Sequence, residues 1–223
     1  MSRAITILFG LVLGLATAVA PTAIAAGGLL SYGVKAGLAA ATLNGDLPTD
    51  PFFGHEKRLG FGGGAAFTFG LGGVFALQPE ILYVTKGTSL GDVIITDWNG
   101  NPVGTAKVIQ SCDYVEVPVL VRYSAPTGGG FAPFFLAGPV VGILASQKIH
   151  QTGMDGGLFL LDVARSTDVG VALGVGAEIG HGRVRASVES RYTLGLTPAT
   201  DSSYSDNARN SAVLIMAGLA IHP

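Results

Sequence analysis

The chain is poor in charge, carries a single cysteine, and has an N-terminal apolar run that is short for a membrane helix. Charged residues make up 13% of its 223 positions, against about 25% in a typical soluble domain. The lone Cys112 excludes an internal disulfide framework, and no Cys/His spacing resembles a zinc site. The 13 basic and 15 acidic residues nearly balance, so there is no electrostatic case for nucleic acid or for a polybasic membrane anchor. What is abundant is glycine, 34 residues, in a chain that is 48% hydrophobic. That pairing suits an all-β chain with tight turns and small inward-facing residues better than a helical enzyme.

The N-terminus stands apart. Arg3 precedes an apolar run from Ile5 to Ala20, and Ala23-Ile24-Ala25 is a small-x-small cleavage site. Residues 1–25 therefore read as a cleavable signal peptide and 26–223 as the exported domain. A permanent membrane helix is disfavoured, because the run is short for a span and glycines follow it.

Beyond the signal, apolar residues recur with period two. From Tyr114 to Tyr123 the odd positions Val115, Val117, Val119, Val121 and Tyr123 are apolar, while the even ones include Glu116 and Arg122. About ten residues of such alternation is the length of a tilted strand crossing a bilayer. Seven further segments follow the strand pattern: 32–40, 61–71, 75–86, 131–146, 168–180, 183–194 and 211–222. Residues 131–146 are apolar on both sides, so parity leaves their faces open, and Gly138-Pro139 is expected to mark a bulge or kink. The connections read long, short, long, short, long, short, long, the long ones covering 44–59, 88–112, 147–167 and 197–209. Outer-membrane barrels have this asymmetry, with tight periplasmic turns, longer outer loops and both termini in the periplasm.

Alternation alone does not separate a membrane barrel from a soluble carrier barrel, which alternates with its apolar face inward. Side-chain size decides. Glycines share a face with the ionisable groups, and beside long charged side chains they fit a narrow lumen better than a solvated surface. Lys35, Glu80, Lys86, Glu116, Arg122, Asp168, Glu178, Arg185, Glu189 and Arg191, together with Arg183, are thus expected in or near the lumen. Their mixed signs allow mutual neutralisation, in a packed polar core that is structural rather than a selectivity filter. Pro79 and Pro118 oppose the scheme, since each forfeits a ladder hydrogen bond in a sheet without edges.

Six short motifs carry a family resemblance. They are Gly33-x-Lys35-x-Gly37-Leu38, Leu77-Gln78-x-Glu80-x-x-Tyr83-x-x-Lys86-Gly87, and Tyr114-x-Glu116-x-Pro118-x-Leu120-x-Arg122-Tyr123. The others are Pro133-x-x-x-x-Gly138-Pro139-x-x-Gly142-x-Leu144, Asp168-x-Gly170-x-x-x-Gly174-x-Gly176-x-Glu178, and Arg191-Tyr192-x-x-Gly195-Leu196. In this order, over nearly the whole mature chain, they resemble the bacterial outer-membrane β-barrel proteins often labelled "porin family" and related to PorT-like proteins. The resemblance implies the barrel and makes the strand prolines family features. It implies little about activity. Many such barrels end on an aromatic residue read by the insertion machinery, whereas this chain ends Ala220-Ile221-His222-Pro223.

No catalytic constellation stands out. His55, His150, His181 and His222 are scattered over segments read as loops, a turn and the terminus, without triad or metal spacing, and no His-x-Ser occurs. Gly60-x-Gly62 and Gly174-x-Gly176 lack the following helix of a nucleotide site. The loop residues Asp92, Asp97, Asp155, Asp162, Asp201 and Asp206 lack calcium-loop spacing. The expectation is therefore an all-β, eight-stranded antiparallel up-and-down transmembrane β-barrel of the bacterial outer membrane. It is expected to be non-enzymatic and to need no cofactor or metal. Its expected partners are outer-membrane lipid and, during assembly, the barrel-insertion machinery, with no nucleic acid and with outer loops that carry any recognition. The alternatives are a soluble periplasmic lipocalin-like carrier, a small passive pore and a lipid-modifying barrel enzyme.

Overall fold

The computed structural model describes residues 28–44, 56–96, 99, 101–127, 129–152, 164–199 and 209–223; the segment read as a signal peptide lies outside them. The described elements are eight strands: β1 (Leu29–Asn44), β2 (Glu56–Gly72), β3 (Phe75–Thr96), β4 (Pro102–Ser124), β5 (Phe131–Thr152), β6 (Thr167–Ile179), β7 (Val184–Pro198) and β8 (Arg209–Ile221). Each pairs antiparallel with its sequence neighbour, and β8 closes onto β1. The result is an up-and-down barrel without a free edge in its wall.

Period-two patterning sets the two faces. Outward go Val34 and Leu38 of β1, Phe61 of β2, Ile81 of β3, Leu173 of β6 and Ile215 of β8, all more than half exposed. Inward go Lys35, Glu80, Glu116, Glu189 and Arg191, all buried. Such an apolar belt far exceeds what a soluble monomer leaves in water. A soluble carrier would have the reverse arrangement, and the fold excludes it. At the end that bears the tight turns, Phe75 packs near Tyr123 (5.5 Å between ring centroids) and Tyr123 near Phe135 (6.3 Å), part of an outward aromatic girdle.

The strands are strongly staggered. A register path leaving β1 at Leu29 runs through Phe69, Leu77, Val121, Ala137, Leu173, Tyr192 and Val213 and re-enters β1 at Ala40. That climb of eleven residues (40 − 29), ten once the register shift between Leu29 and Ser31 is discounted, is the shear that lets a narrow barrel close with tilted strands. The tight turns include Gly72 and Gly73, both at positive φ (115° and 59°), a conformation glycine adopts without steric cost.

Four expectations change and one open reading is settled. The connection at 88–112 is not a loop: Thr88–Thr96 and Pro102–Cys112 continue β3 and β4 as a paired hairpin beyond the barrel wall. Its polar composition suits a solvated ladder equally well, so polarity alone misled. The faces of β5, open from sequence, are set: Phe134, Leu136 and Val140 point into the lumen and Phe135 and Ile143 outward. Gly138-Pro139 causes no bulge; the register slips instead between Asp113 and Tyr114, opposite Ala145. Arg183 lies exposed in the β6–β7 turn, outside the lumen, because the chain reverses there before β7 begins. The lumen is also not uniformly polar, since β8 turns Leu214 and Met216 inward.

The strand prolines keep their register. Pro79 stays paired with Val119 and Pro118 with Val140. The β3–β4 ladder skips from Pro79–Val119 to Leu82–Glu116, and the β4–β5 ladder from Pro118–Val140 to Val121–Ala137, next to Pro139. Missing N–H groups leave gaps without bending the sheet.

Candidate functional site: the ionic lumen

Five acids (Glu80, Glu116, Asp168, Glu178, Glu189) and five bases (Lys35, Lys86, Arg122, Arg185, Arg191) meet inside the barrel in three groups. Of the eleven residues singled out from sequence, all but Arg183 take part.

The central group is a closed ring of alternating charge. Lys35 Nζ lies 2.9 Å from Glu80 Oε1 and 2.8 Å from Glu189 Oε2. Arg191 forks onto Glu80, with Nη1–Oε2 at 2.7 Å and Nη2–Oε1 at 2.9 Å, and its Nη2 also reaches Glu189 Oε1 at 2.7 Å. Gln78 Nε2 donates to Glu80 Oε1 at 2.6 Å. β1, β3 and β7 thus converge on one level, where each carboxylate faces two cations and each cation two carboxylates. An unpaired ion at this depth costs several kcal/mol, and the pairing offsets that cost.

The outer group lies toward the β3–β4 hairpin. Lys86 Nζ contacts Glu116 Oε1 at 2.5 Å and Asp168 Oδ2 at 3.0 Å, and sits 5.5 Å from the centre of the Tyr114 ring. Asn210 Nδ2 donates to Asp168 Oδ2 at 3.2 Å. The periplasmic group centres on Glu178, which Arg122 Nη2 reaches at 2.9 Å, His222 Nε2 at 3.6 Å and Arg185 Nη1 at 3.8 Å. Arg122 also donates to Gln78 Oε1 at 3.1 Å, joining this group to the ring, and stacks 3.9 Å from the Phe134 ring centre.

Glycine creates the space for these side chains. Lys35 has glycine across the ladder on both sides, Gly64 on β2 and Gly218 on β8. Glu116 and Asp168 both face Gly142, Arg191 faces Gly174, and Glu189 faces Gly176. A Cβ at Gly176 would lie 2.4 Å from Phe134 Cζ, so that ring fills the space the missing side chain leaves. Two buried apolar clusters complete the filling: Ala39, Leu82, Val84, Leu214 and Met216 among one, and Leu120, Phe134, Leu136, Val140 and Ala172 in the other.

Sequence reasoning missed Asn210 and His222 as lumen residues. Asn210 lies on the even-numbered face of β8 with Leu214 and Met216, and His222 continues that parity just beyond the strand's end; the apolar composition of that face masked its direction. Of the other histidines, His181 is exposed in the β6–β7 turn, His150 falls within β5, and His55 is outside the described residues. Asp92 falls within β3, while Asp97, Asp155, Asp162, Asp201 and Asp206 are outside the described residues. Among the described residues, no three His, Cys, Asp or Glu side chains gather as a metal site.

An apolar exterior, an ionic and glycine-lined interior and a closed antiparallel wall of eight strands define an integral outer-membrane barrel protein. The family model described as outer membrane protein beta-barrel domain matches residues 22–201, and the chain belongs to that family, resident in the bacterial outer membrane. No curated protein matches the chain. Similar solved structures include Neisserial surface protein A (14% identity, TM-score 0.45, covering 86% of this chain and 97% of that one). Outer membrane protein OprG from Pseudomonas aeruginosa is similar at 12% identity and TM-score 0.44, covering 87% and 97%. Ail, the attachment invasion locus protein of Yersinia pestis, is similar at 11% identity and TM-score 0.42, covering 86% and 99%.

Proposed function

We propose that this protein is a non-enzymatic, non-conducting barrel whose contacts with other molecules are made by its outer loops and the β3–β4 hairpin. The observation that carries this reading is the closed ring of Lys35, Glu80, Arg191 and Glu189 across the lumen. With the apolar clusters, it fills the narrow interior of an eight-stranded barrel, which leaves no aqueous channel. What remains for recognition is outside, where β3 and β4 run 22 and 23 residues against 13 in β6 and β8.

The same reading assigns residues 1–25 to export, the barrel-insertion machinery to assembly, and membrane lipid to the outward belt; it assigns no nucleic acid, metal or cofactor. Purified protein reconstituted in planar bilayers is expected to give no steady conductance. A sustained ohmic current that changes with Glu80→Ala would overturn the reading. Heat-modifiable migration on unboiled gels checks that the barrel under test is folded.

A further inference from the structure

The periplasmic mouth of the lumen widens into a cavity of about 470 Å³ whose lining includes Arg122, Arg185, His222, Glu178, Ser124 and Thr127. A smaller space of about 30 Å³, room for a water, shares Arg122 and Glu178 with it and continues inward to Lys35 and Gln78. The mouth holds two guanidinium groups and an imidazole against one carboxylate. That carboxylate is already engaged: Arg122 holds Glu178 at 2.9 Å, with its other donors on Gln78 and on Ser124 Oγ at 3.1 Å. Arg185 is different. Its side chain is about a third exposed, its one close ionic contact among the described residues is the 3.8 Å approach to Glu178, and its Nε has no hydrogen-bond partner. His222 Nε2 is likewise without one, 3.6 Å from Glu178.

We propose that this periplasmic vestibule binds a phosphate-class oxyanion, held by Arg185 and His222 with a hydroxyl donor from the wall. A guanidinium with uncommitted N–H groups matches phosphate geometry and charge. The adjoining Ser124 hydroxyl accepts from Arg122 Nε and keeps its own proton to donate to a tetrahedral anion, whereas the Thr127 hydroxyl already donates to Phe131 O. The lining also includes Leu30 and Phe75, both half exposed on the outer rim, so the phosphate can come from an inner-leaflet lipid headgroup or from a soluble periplasmic anion.

The test uses the full chain folded in a phosphate-free detergent, with the His222 imidazole followed by NMR during titration with inorganic phosphate. A saturable shift of His222 is expected, with apparent affinity weakened about tenfold or more by Arg185→Gln. Arg185→Lys, which keeps the charge but not the fork, is expected to fall between them and serves if the glutamine variant does not fold. Nanodiscs of phosphatidylglycerol and of a phosphate-free glycolipid separate the sources: an Arg185-dependent shift with phosphatidylglycerol alone assigns the headgroup, and one needing added phosphate assigns the soluble anion. No saturable shift in any of these, or a shift equal in wild type and both Arg185 variants, overturns the proposal.

Discussion

Arg191 on β7 and Glu80 on β3 grip each other across the lumen through two parallel contacts of 2.7 and 2.9 Å, though 111 residues separate them in the chain. Both side chains are almost fully buried. Arg191→Met removes one corner of the ring and leaves Glu80 and Glu189 sharing Lys35 alone. The expected loss is about 3–5 kcal/mol, because a buried carboxylate loses half its neutralisation. Urea unfolding in lipid vesicles, followed by gel mobility, measures it. The paired change Glu80→Leu with Arg191→Leu is expected to cost less than the single one, since no uncompensated partner is created at that corner.

Gly176 and Phe134 form a complementary pair. Gly176→Ala places a methyl group into the Phe134 ring, at 2.4 Å from Cζ before relaxation. Overpacking of this kind is expected to destabilise by about 1–3 kcal/mol. Adding Phe134→Leu should recover part of that loss, and a double-mutant cycle on unfolding free energies is the check.

Leu173 is 62% exposed on the outward face of β6, in the middle of the strand. Leu173→Arg is expected to cost about 2–4 kcal/mol in vesicles, the penalty for a cation near the bilayer midplane. The same change in a soluble barrel would be nearly neutral. Comparing folding free energy in bilayers with that of a substitution at exposed Arg183 in the β6–β7 turn isolates the depth effect.

His222, beyond the end of β8, has its pKa lowered from the ordinary 6.5, chiefly by partial burial, with Glu178 opposing and Arg185 and Arg122 reinforcing the shift. The folded protein thus favours neutral imidazole more than the unfolded chain does. Stability from this group is present above the unfolded pKa and declines as pH falls through it toward the folded value. NMR titration is expected to give a His222 midpoint below 6.5 in phosphate-free buffer, and His222→Gln to flatten the stability profile across that interval.

The barrel was legible in the sequence wherever one strand face carried ions and the other did not. β4, with Glu116 and Arg122 opposed to valines, and β7, with Glu189 and Arg191 opposed to Val188 and Tyr192, declare their directions by composition alone. β5 and β8 do not, because their inward residues, such as Phe134 and Leu214, are as apolar as their outward ones. Parity gives two faces, and only closure of the sheet says which encloses the lumen. Pairings within the network were also beyond reach, since which acid meets which base depends on the stagger of about ten residues around the wall. The outer hairpin escaped because a ladder in water needs no apolar face, and its polar residues look like those of a loop.

The unequal strand lengths give the described wall a tall flank and a low one. β3, β4 and β5 carry their paired backbone well past the level where β6 turns back against β5 at Ile143 and Thr167. Among the described residues the rim is therefore a lopsided parapet, its paired crest built by a single neighbourhood of the fold.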